Sequence, residues 1–459
     1  MDEHTQDFVE TFGTFMREVV NQNSLLTDRV TPLGAMVEDF LGTSIRELPI
    51  VTQTLASHRL VDADLALSEL ADRCGAAPLG VSGGQQRDHS SLSELLNSQY
   101  ARFGLGPVDY LSIPSGPATV RQVVSFGIYL LTHAGGRAVV LQRAAQPERG
   151  RQFASLEVLA DSEATSAALL AEFARLLLST SILRGQVLTF SHSTFGPGAG
   201  GTTFLERPTI EAQDVILPPG VLDSVVRHVV GIGENRDRLR EAGQHLKRGV
   251  LLYGPPGTGK TLTVRHLLAR TPGTTAVLLT GPAIAFITEA AELARAMQPA
   301  IVVLEDVDLV ASERGMHGGP QPLLFAILDA LDGLDGDADV TFILTTNRVD
   351  VLERALAERP GRIDLAVEIP LPDLASRELL FRRYALGLPL SPSALDRAAQ
   401  RAAGTTGSFA KELIRRSVLA AAESGREVDD NDLDLALDDL LSSNAALTRS
   451  LLGGATARE

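Results

Sequence analysis

Residues 254–261 read Gly254-Pro255-Pro256-Gly257-Thr258-Gly259-Lys260-Thr261 and fill every specified position of G-x-x-x-x-G-K-[ST]. The octet limits the fold, because it works only between a buried strand and the start of a helix. Both flanks agree: the apolar run Gly249-Val250-Leu251-Leu252-Tyr253 precedes it, and Leu262 begins a segment with helical spacing. Glycines let the backbone curl until its N–H groups face a phosphate chain, and the positive end of the following helix favours the same anion. Lys260, one of only three lysines in 459 residues, is placed to neutralise the β- and γ-phosphates, and the Thr261 hydroxyl to hold Mg²⁺. Residues Gly254 to Leu262 are therefore the candidate nucleotide-binding set.

The surroundings of the loop predict an α/β fold. After Thr209, apolar strand candidates at Val250–Tyr253, Thr275–Leu279, Ala300–Leu304 and Val340–Leu344 are separated by segments of helical length. Such runs read as a parallel sheet covered on both faces. Two of them end in polar groups. Ile301-Val302-Val303-Leu304 closes on Glu305-Asp306, with the spacing and context of a Walker B motif. Phe342-Ile343-Leu344-Thr345-Thr346 closes on Asn347. From Ala375 onward the strands stop and helical spacing dominates to Leu441, which predicts a helical lid.

Taken with these motifs, Glu358-Arg359-Pro360-Gly361-Arg362-Ile363-Asp364 resembles the "RPGRFD" segment of the AAA family of ATPases. The order GPPGTGKT, LEDVD, TTNR and RPGR is similar to the AAA branch of the AAA+ superfamily over about Thr209 to Leu441. The resemblance implies a P-loop AAA+ core with a parallel sheet and a C-terminal helical lid. It implies an ATPase with ATP and Mg²⁺ as cofactors, Thr261 and Glu305 at the metal, Asp306 polarising the attacking water and Asn347 as sensor 1. It also implies Arg359 and Arg362 as fingers reaching the ATP of a neighbouring subunit, and hence a ring homo-oligomer, a hexamer by family likeness. The segment Gln213 to Pro218 falls where the family's adenine-contacting strand lies.

Three departures stand out. Most AAA proteins carry Asp then Glu at the Walker B end. Here the order is Glu305 then Asp306, as in the mitochondrial Rieske-protein translocase branch, so the acid in the base position is one methylene shorter. A misplacement of about 1 Å can cost about 10²-fold, and slow hydrolysis is expected. The pore-loop segment Thr280 to Thr288 is short, and Phe286-Ile287 is the candidate substrate-gripping pair, packing against the following helix being the other reading. In the lid, Gly404 to Lys411 resembles the family's "GxxGAD" region with Ser408 and Phe409 replacing Ala and Asp. Lys411 either approaches a phosphate or is a solvated helix residue.

Upstream, apolar spacing predicts a helical domain over 1–74, a Gly/Pro/Ser-rich linker over 75–91 and a small α+β domain over 92–200. The nucleotide-binding domain is expected over 209–372, the lid over 373–444 and a disordered tail over 445–459. A formal charge of −16 argues against a nucleic-acid partner and favours proteins, so a client or adaptor is expected to dock on residues 1–200. The single cysteine, Cys74, excludes an intramolecular disulfide. No apolar run reaches the roughly 20 residues of a membrane helix, and the N-terminus has no signal-peptide pattern, so a cytoplasmic location is expected. The sequence contains no H-E-x-x-H, unlike the fused metalloproteases of the same family. The resulting expectation is a remodeller or disassembler of a protein partner, the alternative being an ATP-gated scaffold or assembly factor with slow or no turnover.

Overall fold

The computed structural model of the chain describes residues 12–16, 30–84, 87–98, 101–191, 201–308, 326–327, 329–331, 337–348 and 362–442. These fall into two units, Met1–Ile182 with Ser191–Thr202, and Leu183–Phe190 with Thr203–Glu459.

In the first unit helix α1 (Pro32–Leu41) begins where the Thr31 hydroxyl accepts from the Gly34 amide, with Pro32 in the first turn, and ends at Gly42 in the left-handed region. Strand β1 (Ile50–Leu55), helix α2 (Leu60–Cys74) and the short strand β2 (Gly80–Ser82) follow. Next come helix α3 (Leu92–Leu96) and strands β3 (Gly104–Gly106), β4 (Asp109–Pro114), β5 (Val120–His133), β6 (Gly136–Arg143) and β7 (Ala154–Ala160). Helix α4 (Glu163–Ser179) is capped by Ser162. An antiparallel sheet of order β1-β7-β6-β5-β4 has both faces covered. Ala138 and Val140 of β6 join α2 and α4 in one core, while Val139 and Leu141 join α1 and α3 in another. Successive side chains of a strand point to opposite faces, so an unbroken apolar run serves both layers.

Three expected boundaries shift. Residues 1–74 and 92–200 are not separate domains, because β1 pairs with β7 in the register Ile50↔Leu159 to Leu55↔Ala154 and α2 packs on the sheet. The expected linker contributes β2, which pairs with β3. Gly80 is needed there, since a Cβ on it would stand 1.9 Å from the Pro107 carbonyl oxygen. Third, the run Val187–Ser191 forms strand β8, which belongs to the second unit's sheet and pairs there in parallel rather than closing the α+β domain. Periodicity reports an element's type and buried face, whereas its pairing partner is a long-range choice. The expected tail, 445–459, lies outside the described residues.

The second unit is built on a seven-stranded sheet. Strand β9 (Gly201–Leu205) lies at one edge beside β8. After a helical stretch through 221–241 come β10 (Arg248–Tyr253), helix α5 (Lys260–Arg270), β11 (Thr275–Thr280), helix α6 (Ile287–Ala296), β12 (Ala300–Glu305), β13 (Val340–Thr346) and β14 (Leu365–Glu368). Their order is β14-β10-β13-β12-β11-β8-β9, and the registers from β14 through to β8 are parallel. Parallel neighbours require crossovers and both faces buried, which is why these strands read as continuous apolar runs. Helices α7 (Leu374–Tyr384), α8 (Pro392–Arg401), α9 (Gly407–Glu423) and α10 (Asp430–Leu441) complete the unit around a core of their own that includes Phe381, Phe409, Leu413 and Leu437. Each starts on a side-chain cap, from Asp373, Ser391, Thr406 and Asp429 respectively.

Candidate nucleotide-binding site

The loop between β10 and α5 depends on glycines. Gly254 has φ 142°, and a Cβ there would fall 2.2 Å from the Ile369 carbonyl oxygen. Gly259, at φ 113°, is the last residue before α5. Lys260 opens that helix and is 6% exposed. Its Nζ donates to the carbonyl oxygens of Gly254 and Pro255, both at 2.8 Å, while the Thr258 hydroxyl donates to the Pro255 oxygen at 2.9 Å. Burial pulls the Lys260 ammonium below its ordinary pKa, and the charges of Asp306 and Asp308 oppose that fall.

Strand order assembles the rest. Because β13 lies between β10 and β12, the residue leaving its carboxyl end stands between the loop and the two acids. Glu305 ends β12, and burial pushes its carboxyl above the ordinary value; the hydrogen bond from Thr261 opposes this, and the neighbouring Asp306 charge adds to it. Asp306 has φ 53°, a left-handed conformation that costs a non-glycine residue about 1–2 kcal/mol and is tolerated best by Asp and Asn. It ends the extended run. Its amide donates to Thr345 Oγ1 at 3.0 Å, and its Oδ1 accepts from Asn347 Nδ2 at 3.3 Å.

Asp308 belongs to this network and is missed by sequence reasoning. It is 5% exposed, and its Oδ1 accepts from the Thr346 hydroxyl at 3.0 Å and from the Asn347 amide at 3.1 Å. The Arg348 amide donates in turn to Thr346 Oγ1 at 3.0 Å. Both threonines that precede Asn347 are thus tied to the turn after β12. The available signal was a second acid two positions past Asp306, facing a Thr-Thr strand end.

A cleft of about 490 Å³ opens over the loop, within the range of small-molecule sites. Its polar lining includes Lys260, Thr261, Asp306 and Asn347, and its apolar lining Ile216, Leu217 and Tyr384. Helix α9 closes a side: the Ser408 amide donates to the Gly257 oxygen at 3.3 Å, and a Cβ on Gly257 would meet Ser408 Oγ at 2.7 Å. Leu262 and Lys411 also line the cleft. A narrow cradle of amides, a lysine, an acid bonded to the Thr261 hydroxyl and apolar lining residues fit a nucleoside triphosphate with its divalent cation.

The remaining candidates lie elsewhere. Arg362 is 4% exposed and sits just before β14, its carbonyl packed on Gly249. Arg359 lies outside the described residues. Ile287 is 1% exposed, and the Phe286 ring stands 5.8 Å from that of Phe190, so this pair is packed.

A parallel sheet with a P-loop on one strand, paired acids on another and an amide between them defines a P-loop nucleoside triphosphatase domain. Residues 250–371 match the AAA family, "ATPase family associated with various cellular activities". The chain thus carries an AAA-family ATPase domain, whose cofactors are ATP and Mg²⁺. It is 32% identical over 274 residues to the ATP-dependent zinc metalloprotease FtsH 3 of Sphaerobacter thermophilus, covering 56% of this chain and 55% of that one. Over 293 residues it is 31% identical to the ATP-dependent zinc metalloprotease FtsH of Thermus thermophilus, covering 59% and 47%. With FtsH 3 of Synechocystis the figures are 31% over 290 residues, 58% and 47%. The chain therefore spans about half the length of the curated relatives it matches. Among the described residues no helix is long and apolar enough to cross a membrane.

Proposed function

We propose that this protein is a ring-forming AAA ATPase, a hexamer in the cytoplasm, that couples ATP hydrolysis to the remodelling or disassembly of a protein partner recruited by residues 1–200. The observation that supports hydrolysis most is the bond from Asn347 to Asp306, both lining the cleft with Lys260, with Asp306 held in a left-handed turn. Thr261 and Glu305 would hold Mg²⁺, which when bound shields the phosphate charge. Lys260 leaves its own loop carbonyls for the phosphates. Asp306 takes the proton of the attacking water, with Asn347 fixing the carboxylate that does so. Residues Gly254 to Leu262 wrap the phosphates, and the contact of α9 with Gly257 lets the lid respond to their loss.

Arg359 and Arg362 act in trans, where finger arginines in other nucleotide hydrolases contribute about 10³–10⁵ in rate. For Arg362 this requires its guanidinium to leave a buried position when subunits meet. A second reading, an ATP-gated scaffold or assembly factor with slow turnover, draws on two observations: the short acid at 306 and the packed Phe286-Ile287 pair. The Glu-Asp order, as in the Rieske-protein translocase branch, is compatible with either.

A mixing experiment separates them. Lys260→Ala and Arg359→Ala proteins, each inactive alone, should recover ATP hydrolysis when combined, because an intact loop then meets an intact finger, and wild-type rate should rise steeply with concentration as rings form. No recovery, with ATP-driven assembly intact and no wild-type turnover, would sink the motor and leave the scaffold.

A further inference from the structure

The amino-terminal end of the seven-stranded sheet, opposite the nucleotide cleft, carries a second cavity of about 260 Å³. Arg248 opens β10, Asp339 and Thr341 lie at the start of β13, and Arg270 closes α5. Arg248 is 4% exposed; its Nε donates to Thr341 Oγ1 at 2.8 Å and its Nη2 to Asp339 Oδ1 at 2.7 Å. Arg236 approaches the same carboxylate at 3.6 Å. One aspartate is thus shared by two guanidiniums. Arg270 adds a third cation to the wall, against which Glu234 is the further acid among the lining residues.

Among the lining residues three guanidiniums face two carboxylates, and the Asp364 charge also acts on Arg248. The cluster also holds an unused donor: Arg248 Nη1 is buried with no hydrogen-bond partner among the described residues. Buried polar atoms in native structures are almost always satisfied, so this donor beside a cavity calls for an acceptor, while Asp339 Oδ2 faces the Arg236 guanidinium. Burial disfavours the charge on Arg248, and Asp339 offsets that effect. The rest of the wall is apolar, with Val229, Val230 and Ile301.

We propose that this cavity binds a small aliphatic carboxylate, its anionic head among Arg236, Arg248 and Arg270 and its hydrocarbon body against Val229, Val230 and Ile301. A guanidinium fork matches a carboxylate bidentately. The cluster of guanidiniums favours an anion over a neutral ligand, and the apolar wall favours an aliphatic body over an inorganic ion. None of these residues takes part in the nucleotide site, so the proposal stands apart from the ATPase reading.

The probe is isovalerate, titrated calorimetrically into the full chain already saturated with Mg²⁺ and ADP so that the P-loop is filled. Saturable one-site binding is expected, tighter than that of acetate by at least about tenfold because of the added methyl and methylene groups. Arg270→Gln and Arg236→Gln, both at solvent-accessible positions, should each weaken it about tenfold or more without changing the melting temperature. Lys260→Ala, titrated without nucleotide, should bind isovalerate as the wild type does. Absence of saturable binding, equal affinity for acetate, unchanged binding in both arginine variants, or loss in Lys260→Ala would each overturn the proposal.

Discussion

Buried acids occur in both units, and they are used in opposite ways. In the first unit Asp62 accepts from Arg59 Nε at 2.8 Å, the Ser181 hydroxyl at 2.7 Å and the Ile182 amide at 3.0 Å. Glu157 accepts from the Leu92 amide at 2.6 Å and pairs with Arg143, and Asp64 accepts from the Val124 amide at 2.9 Å. These carboxylates tie distant stretches of the unit together, although burial raises the pKa of Asp62 and Asp64 as well. In the second unit Asp306 sits in a left-handed turn, and among the described residues its carboxylate accepts from the Asn347 side chain at a long 3.3 Å. Glu305 is pushed up by burial, and a hydroxyl is the partner that eases it. An acid whose lone pairs are all taken tightens the chain that donates to it, whereas one with lone pairs to spare can take a metal or a proton.

The largest effects come from exchanging the two kinds of acid for amides. Asp306→Asn should lower kcat for ATP at least about 10²-fold while ATP still binds and the melting temperature stays put. Asp62→Asn should do the reverse: ATP hydrolysis unchanged, and about 2 kcal/mol or more lost from the stability of the first unit, because donors arranged for a carboxylate then face an NH₂ group. Steady-state kinetics and a thermal melt on the same preparations check both. Should Asp62→Asn slow the enzyme while leaving the melt unchanged, the division between structural and chemical acids fails.

Asp308 tests the boundary between the classes, since it is buried and bonded like a structural acid yet belongs to the site. It holds Thr346 and the Asn347 amide, and through them the partner of Asp306. Asp308→Ala should therefore reduce kcat about tenfold with nucleotide affinity unchanged, and Asp308→Asn, which keeps an acceptor oxygen, should restore most of the rate. Equal losses in the two variants would assign Asp308 to folding alone.

Much of the nucleotide site was legible because its chemistry is local in sequence. A P-loop must follow a strand and open a helix, so residues 254–262 declare themselves, and Glu305, Asp306 and Asn347 are marked by apolar strands that stop at polar groups. Asp308 was not legible, because its role depends on which strand lies beside β12. The same reason explains β8, an ordinary apolar run until its parallel pairing with β11 is known, and β1, whose partner β7 lies about a hundred residues away. Phe286-Ile287 shows the limit from the other side: an aromatic followed by an aliphatic is identical in sequence whether it grips a substrate or packs, and its contact with Phe190 is a tertiary fact.

The smallest expected effect is a pH dependence of opposite sign at two buried groups, His58 in the first unit and Glu305 in the second. Burial, and then the Arg59 charge, lower His58 to about 4, while in the unfolded chain it titrates near 6.5. Between those values the unfolded state takes up a proton that the folded state refuses. The His58 contribution is therefore complete above pH 6.5 and is lost as pH falls toward 4, by about 1–2 kcal/mol near pH 5. Glu305 runs the other way. Its raised carboxyl weakens the folded, nucleotide-free protein at neutral pH, and that penalty disappears as acid protonates it. Unfolding of wild type, His58→Gln and Glu305→Gln from pH 7.5 to 4.5 reads both. The wild type should lose ground to His58→Gln as pH falls, whereas Glu305→Gln should be the more stable protein at neutral pH, with its advantage shrinking as pH falls. Parallel pH curves for the three proteins would mean that neither His58 nor Glu305 is desolvated enough to matter.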